Sequence, residues 1–225
     1  MILGDFMTKL DTILFDFDGT LIDTDEIIIR SFDATFKKHF PDLVLSRDTI
    51  IGFIGPSLQE TFGEFTKDPF LIDDMIKTYR EFYVVFEINN FKLFPNVLDV
   101  VKDLSEKGYN LGIVTSKFKE AAWPSFSFYN LQDYFKVFVA LDDVSFAKPN
   151  REPIDLALSR FPSYHKAIMI GDNKGDILAG KNAGIYSAGV AWSIKGAEYL
   201  QTFDPDFMIY DIRDIYEIIE KIERE

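Results

Sequence analysis

Strand-like and helix-like segments alternate along most of this chain, and that alternation limits the fold more than any other feature of the sequence. Strand-like runs lie at 12–17, 110–115, 137–140, 166–170 and 187–190. Val97, Val100, Val101 and Leu104 follow the spacing of one apolar helix face, and Gly108 ends that helix as a left-handed cap. Ile177, Leu178 and Ala183 mark a second core-facing helix. Alternating β and α segments predict an α/β fold, a parallel sheet with helices on both faces. Ligands bind such sheets at the carboxyl ends of the strands.

One stretch breaks the alternation. From 22 to 91 there are helix signals and no convincing strand. Asp23-Thr24-Asp25-Glu26 is rich in caps and acidic first-turn residues before Ile27-Ile28-Ile29 and Phe32. Ser46-Arg47-Asp48 opens a short helix, Gly55-Pro56-Ser57 is a turn, and Leu58 to Phe65 is helix-like. Asp68-Pro69 pairs an N-cap with a proline at the first helical position, ahead of a long helix to about Glu87. The expected organisation is a core of 1–21 and 92–225 with an inserted helical unit of 22–91. The hinges of such an insert would lie near Leu21–Asp23 and Leu93–Asn96.

The chemistry begins at Thr12-Ile13-Leu14-Phe15-Asp16-Phe17-Asp18-Gly19-Thr20. The apolar, β-branched start reads as a buried strand, and strand alternation would project Asp16 and Asp18 to one side. Gly19 permits a turn that a residue with a Cβ resists. Two like charges side by side suit a divalent cation or a shared proton. Asp172, behind the strand-like Ala167 to Ile170, can join Asp16 and Asp18 on one hard cation, and oxygen-only ligands suit Mg²⁺. Taken singly, Thr115 also reads as a strand-closing residue, Lys148 as a surface lysine and Asp172 as a helix cap.

Taken together and in order, these residues resemble the four motifs of the haloacid dehalogenase (HAD) superfamily. Asp16-Phe17-Asp18-Gly19-Thr20 is similar to its first motif, Leu111-Gly112-Ile113-Val114-Thr115 to the second, Lys148-Pro149 to the third, and Gly171-Asp172 with Asp176 to the fourth. The resemblance implies a HAD-like Rossmannoid sheet in which 22–91 is an α-helical, C1-type cap, as in the phosphoglycolate phosphatase and β-phosphoglucomutase branch. It implies that Asp16 is a nucleophile toward phosphorus and Asp18 a general acid/base. Thr115, Ser116 and Lys148 would hold the phosphoryl group, with Lys117 as a further local cation. Asp16, Asp18 and Asp172 would hold Mg²⁺, with Asp176 orienting the site from behind.

Within the family, Asp18 argues against dehalogenases and phosphonatases. Ile27, Ile28 and Ile29 stand where the mutase branch carries a cap histidine, which favours a phosphatase. Phe53-Ile54-Gly55-Pro56-Ser57-Leu58, Gly171-Asp172-Asn173, Ala191-Trp192-Ser193-Ile194-Lys195-Gly196 and Pro205-Asp206-Phe207-Met208 resemble the bacterial HAD-type inorganic pyrophosphatases. That likeness makes Gly55, Pro56, Ser57 and Leu58 the expected specificity loop. The expected function is therefore Mg²⁺-dependent hydrolysis of a small phosphoester or pyrophosphate through an aspartyl-phosphate. A β-phosphoglucomutase-like mutase and a catalytically silent HAD-fold module are the alternatives. Pro124 in Ala122-Trp123-Pro124 should start or kink its helix, and Asn150-Arg151 departs from the family's usual pair.

Composition excludes other classes. The 225 residues include no cysteine, which removes disulfides and thiolate chemistry, and only two histidines, which removes a His-rich metal site. The net charge of -13 and the lack of a lysine- or arginine-dense stripe argue against nucleic acid as a partner. No apolar run is long enough for a membrane span. Met1 to Met7 lacks the basic start of a signal peptide and reads as a short extension, so a cytoplasmic location is expected. None of these motifs speaks to oligomeric state.

Overall fold

The computed structural model describes residues 9–87 and 90–224, so the Met1–Met7 segment lies outside the described residues. In chain order the regular elements are β1 (Leu10–Phe15), β2 (Ile22–Asp23), α1 (Asp25–His39), α2 (Arg47–Gly52), α3 (Leu58–Gly63), α4 (Pro69–Glu87), β3 (Lys92–Leu93), α5 (Val97–Glu106), β4 (Asn110–Val114), α6 (Lys119–Phe128), β5 (Val137–Val139), α7 (Glu152–Ser159), β6 (Lys166–Gly171), α8 (Lys174–Ala183), β7 (Tyr186–Val190), α9 (Ala197–Gln201), β8 (Phe207–Ile209) and α10 (Ile215–Arg224). They fall into two compact units, Met1–Ile22 with Leu93–Glu225, and Asp23–Lys92.

The larger unit carries a six-stranded sheet in the order β5-β4-β1-β6-β7-β8. Every pairing described in it is parallel. β1 lies between β4 and β6, opposing Phe15 to Ile113 on one side and Ile170 on the other. Its apolar run is explained by that place, since a strand covered on both faces has no polar side to show. On α5, Val97, Val100, Val101 and Leu104 are all buried, and Gly108 takes φ +88° just past the helix end. Asn96 sits at φ 64°, a left-handed conformation that Asn tolerates.

The smaller unit is helical throughout its longer elements. Ser46 caps α2 by accepting the Thr49 N–H, and Ser57 with Glu60 forms a capping box on α3. Pro69 begins α4, and Asp68 accepts the Phe70 N–H. The phenylalanines of this unit form its core. Phe36 meets Phe65 with centroids 4.6 Å apart, and Phe32 meets Tyr79 at 4.7 Å.

Several features depart from the sequence-based expectation, among them the two-residue strands β2 and β3, which were not expected. β1 stops at Phe15, so Asp16 and Asp18 lie beyond the strand and its alternation no longer governs both of them. β8 was not expected, because three residues are too few to show a periodicity. Pro124 lies inside α6 and does not start it. The ring costs that helix one N–H donor, and Ser125 and Ser127 bond back to the Ala122 and Pro124 carbonyls on either side.

Candidate active site

The Asp16 N–H donates to the Ile170 carbonyl at 2.8 Å, carrying the β1–β6 ladder one residue past the strand. The chain then turns, with the Leu21 N–H on the Phe17 carbonyl and the Gly19 N–H on the Ile22 carbonyl. Gly19 has φ +80°, and a Cβ there would lie 2.5 Å from Asp172 Oδ2. Glycine is thus required twice, by the backbone and by the closeness of the β6 loop. The two aspartates have different surroundings. Asp16 is buried against Lys148, whereas Asp18 is partly exposed and pairs with the Lys117 ammonium at 3.3 Å.

Lys148 reaches the site from the loop before α7. Its Nζ donates to Asp16 Oδ1 at 2.7 Å, the Val114 carbonyl at 2.7 Å and Asp176 Oδ1 at 2.5 Å. An ammonium has three protons, and all three are placed. The peptide between Lys148 and Pro149 is cis. Burial pushes the Asp16 carboxyl up to about 7; Lys148 opposes this, and the Asp176 and Asp18 carboxylates add to it. Burial pulls Lys148 the other way, but Asp16 and Asp176 outweigh it and hold the ammonium above its ordinary value. Lys148 therefore stays charged while Asp16 takes up a proton near neutrality.

Asp176 also accepts the Asn173 N–H at 3.0 Å, which fixes the start of α8. The cap residue of that helix is Asn173 and not Asp172. Gly171 makes the arrangement sterically possible, since a Cβ there would fall 2.2 Å from the Asp176 Cβ.

One oxygen each from Asp16, Asp172 and Asp176 lies within 4.8 Å of the others, and all three residues are buried. Three buried carboxylates against a single ammonium leave negative charge that a hard divalent cation matches, and the donors are all oxygen. The residues present fit such an ion. Asp16 and Asp172 are two of the three residues expected at a cation, Asp176 was expected behind them, and the Asp18 carboxylate lies beside the Lys117 ammonium.

Thr115 follows β4 and is buried, with its N–H on the Val139 carbonyl and its hydroxyl accepting the Lys117 N–H at 3.2 Å. Ser116 beside it is exposed. Gly55, Pro56, Ser57 and Leu58 belong to the helical unit, where Gly55 takes φ +110° and Ser57 caps α3. The loop after β7 was noted in the sequence without a role. Its Ser193 hydroxyl donates to the Asp172 carbonyl at 2.7 Å, and the Trp192 indole N–H donates to the Thr20 carbonyl at 3.2 Å.

Residues 13–190 match the family model of haloacid dehalogenase-like hydrolases. Among curated proteins, the chain is 44% identical over 212 residues to a protein of Anoxybacillus flavithermus named pyrophosphatase PpaX, covering 94% of this chain and 97% of that one. It is 46% identical over 213 residues to a PpaX of Bacillus pumilus, with the same coverage. Among solved structures, a haloacid dehalogenase-like family protein from Streptococcus pneumoniae superposes with a TM-score of 0.80 at 28% identity, covering 94% of this chain and 99% of that one. The chain belongs to the haloacid dehalogenase-like hydrolase family.

Proposed function

We propose that this protein is a Mg²⁺-dependent pyrophosphatase that works through a phosphorylated Asp16. The observation that carries the reading is the buried Asp16 carboxylate, clustered with Asp172 and Asp176 at the end of the central strand and held by Lys148. The relatives named pyrophosphatase support pyrophosphate over a phosphoester as the substrate.

In this reading an Asp16 carboxylate oxygen forms a bond to one phosphorus while the bond from that phosphorus to the bridging oxygen breaks. Asp18 gives its proton to the departing orthophosphate. Water then attacks the Asp16 phosphoryl group and passes a proton back to Asp18, and the Asp16–phosphorus bond breaks. Lys148 keeps Asp16 in place through both steps. Thr115 lies one residue past the neighbouring strand, where its hydroxyl and the nearby N–H groups suit phosphoryl oxygens. Asp16, Asp172 and Asp176 would hold a Mg²⁺, which would supply positive charge to keep Asp16 ionised and to offset its repulsion from phosphate.

The test is steady-state phosphate release from pyrophosphate and from 2-phosphoglycolate, each with Mg²⁺ and with chelator. A kcat/KM for pyrophosphate far above that for the ester, lost on chelation, is expected. A preference for the ester would return the chain to the phosphoglycolate phosphatase branch.

A further inference from the structure

The peptide unit between Asp172 and Asn173 joins two of the three clustered carboxylates. At one end, its α-carbon carries the Asp172 side chain. At the other, the Asn173 N–H donates to Asp176 Oδ2 at 3.0 Å. A trans peptide is planar, and its C=O and N–H point in opposite directions. Whatever holds the carbonyl therefore aims the N–H.

The Ser193 hydroxyl holds that carbonyl, donating to it at 2.7 Å. Ser193 lies outside the four motif stretches, on the loop after β7. Gly189 of β7 stands opposite Gly171 of β6, which brings this loop to the Asp172 end of the sheet. There the chain folds back, with the Ser193 N–H on the Val190 carbonyl at 3.2 Å and the Gly196 N–H on the Ser193 carbonyl at 2.8 Å. The Lys195 N–H donates to the Ser193 hydroxyl oxygen at 3.3 Å. A hydroxyl has one proton to give, and this one is given to the Asp172 carbonyl. Ser193 is only 5% exposed, so little water competes for it. Trp192 fastens the loop a second time, with its indole N–H on the Thr20 carbonyl at 3.2 Å and its ring centroid 5.7 Å from that of Phe94.

We propose that Ser193 is a positioning residue of the acidic cluster, whose hydroxyl fixes the Asp172–Asn173 peptide plane and with it the spacing of the Asp172 and Asp176 carboxylates. The proposal rests on the reading of Asp16, Asp172 and Asp176 as a Mg²⁺ site and deepens it. Like charges gathered in one buried place repel, so their spacing must be held by groups around them. A neutral hydroxyl acting on the backbone does this without adding a cation that would compete with the metal. Contacts behind the ligands commonly orient metal sites in this way.

The experiment compares wild type, Ser193→Ala, Trp192→Phe and Asp172→Asn by two readouts that need no turnover. The first is the amide spectrum of the metal-free protein by nuclear magnetic resonance. Ser193→Ala should move the Asn173 amide proton upfield as its bond to Asp176 lengthens. Trp192→Phe, which loosens the loop and leaves the Asp172 carbonyl held, should not move it. The second readout is calorimetric titration of Mg²⁺. Ser193→Ala should weaken binding about tenfold, the lower end of the loss seen when a ligand's supporting partner is removed. Trp192→Phe should bind as wild type does. An unmoved Asn173 resonance or an unchanged Mg²⁺ affinity in Ser193→Ala overturns the proposal, as does an equal effect of Trp192→Phe, which would make loop anchoring the cause and not the hydroxyl. Should the circular dichroism of Ser193→Ala depart from wild type, Ser193→Cys takes its place, a side chain of similar size and a poor donor. Mg²⁺ binding to Asp172→Asn as tight as to wild type defeats the metal-site reading, and the Asn173 resonance still decides whether Ser193 aims the peptide.

Discussion

Asp16 and Lys148 show how much one buried pair decides. Asp16→Asn keeps the shape of the side chain and removes the carboxylate proposed as the nucleophile. Phosphate release should fall at least about a thousandfold, as for other nucleophile removals, with the circular dichroism unchanged. Wild-type-like turnover in that variant would sink the assignment. The raised carboxyl also makes a pH statement. Its native pKa of about 7 exceeds the ordinary 3.8, so between these values the native state binds the extra proton. The stability contributed by Asp16 is full below about pH 4 and is lost as pH rises through 7. In metal-free protein, wild type should therefore lose more melting temperature between pH 5 and 8 than Asp16→Asn does. Parallel curves would contradict it. The positions of Asp16, Thr115, Lys148 and Asp172 were legible in the sequence because each follows an apolar run or a short motif in a known order. The pairing of Asp18 with Lys117 was not legible. It depends on a positive φ at Gly19 and on a lysine from the next strand's loop, which local pattern does not report.

At the scale of elements, small residues set how closely the loops approach. Gly171→Ala would drive a methyl into Asp176 and move the carboxylate that Lys148 and the Asn173 N–H share. The Mg²⁺ concentration for half-maximal activity should rise about tenfold or more, the range seen when a metal ligand loses its supporting contacts. An unchanged Mg²⁺ titration would remove Asp176 from the metal site. In the helical unit, Ser57→Ala breaks the capping box of α3 and should cost about 1 kcal/mol in urea denaturation. Caps of this kind were readable, since Ser46, Ser57 and Asp68 each precede a helix and accept a backbone N–H just inside it. Of the two outcomes expected for Pro124, a helix start or a kink, the first is excluded by its place inside α6, where Ser125 and Ser127 bond locally around it. β8 escaped because it is recognisable only by its partner, with Gly189 opposite Met208.

For the whole molecule, metal and fold are linked. An ion that binds the native trio and not the unfolded chain stabilises by mass action, by about 2.7 kcal/mol at a hundredfold excess over its Kd. For a chain of this size that is a rise of several degrees in Tm, on the order of 2–4 °C per kcal/mol. Mg²⁺ should produce this rise in wild type and not in Asp172→Asn. Equal rises in both would place the ion elsewhere. The class of the fold was legible from alternation alone, because a parallel sheet demands crossover segments of helix length. The order of strands was not, since nothing local says that the first strand becomes a central one.

That central place has a consequence for synthesis. β1 leaves the ribosome first, yet its neighbours begin at Asn110 and Lys166. At about 5–20 residues per second, the first neighbour follows roughly 5–20 s later. Meanwhile the helices of 23–92 emerge whole and can bury their own phenylalanines. The nascent chain thus carries an apolar strand without its sheet neighbours while the helices follow it out, and Asp16 has no lysine until residue 148 has cleared the exit tunnel.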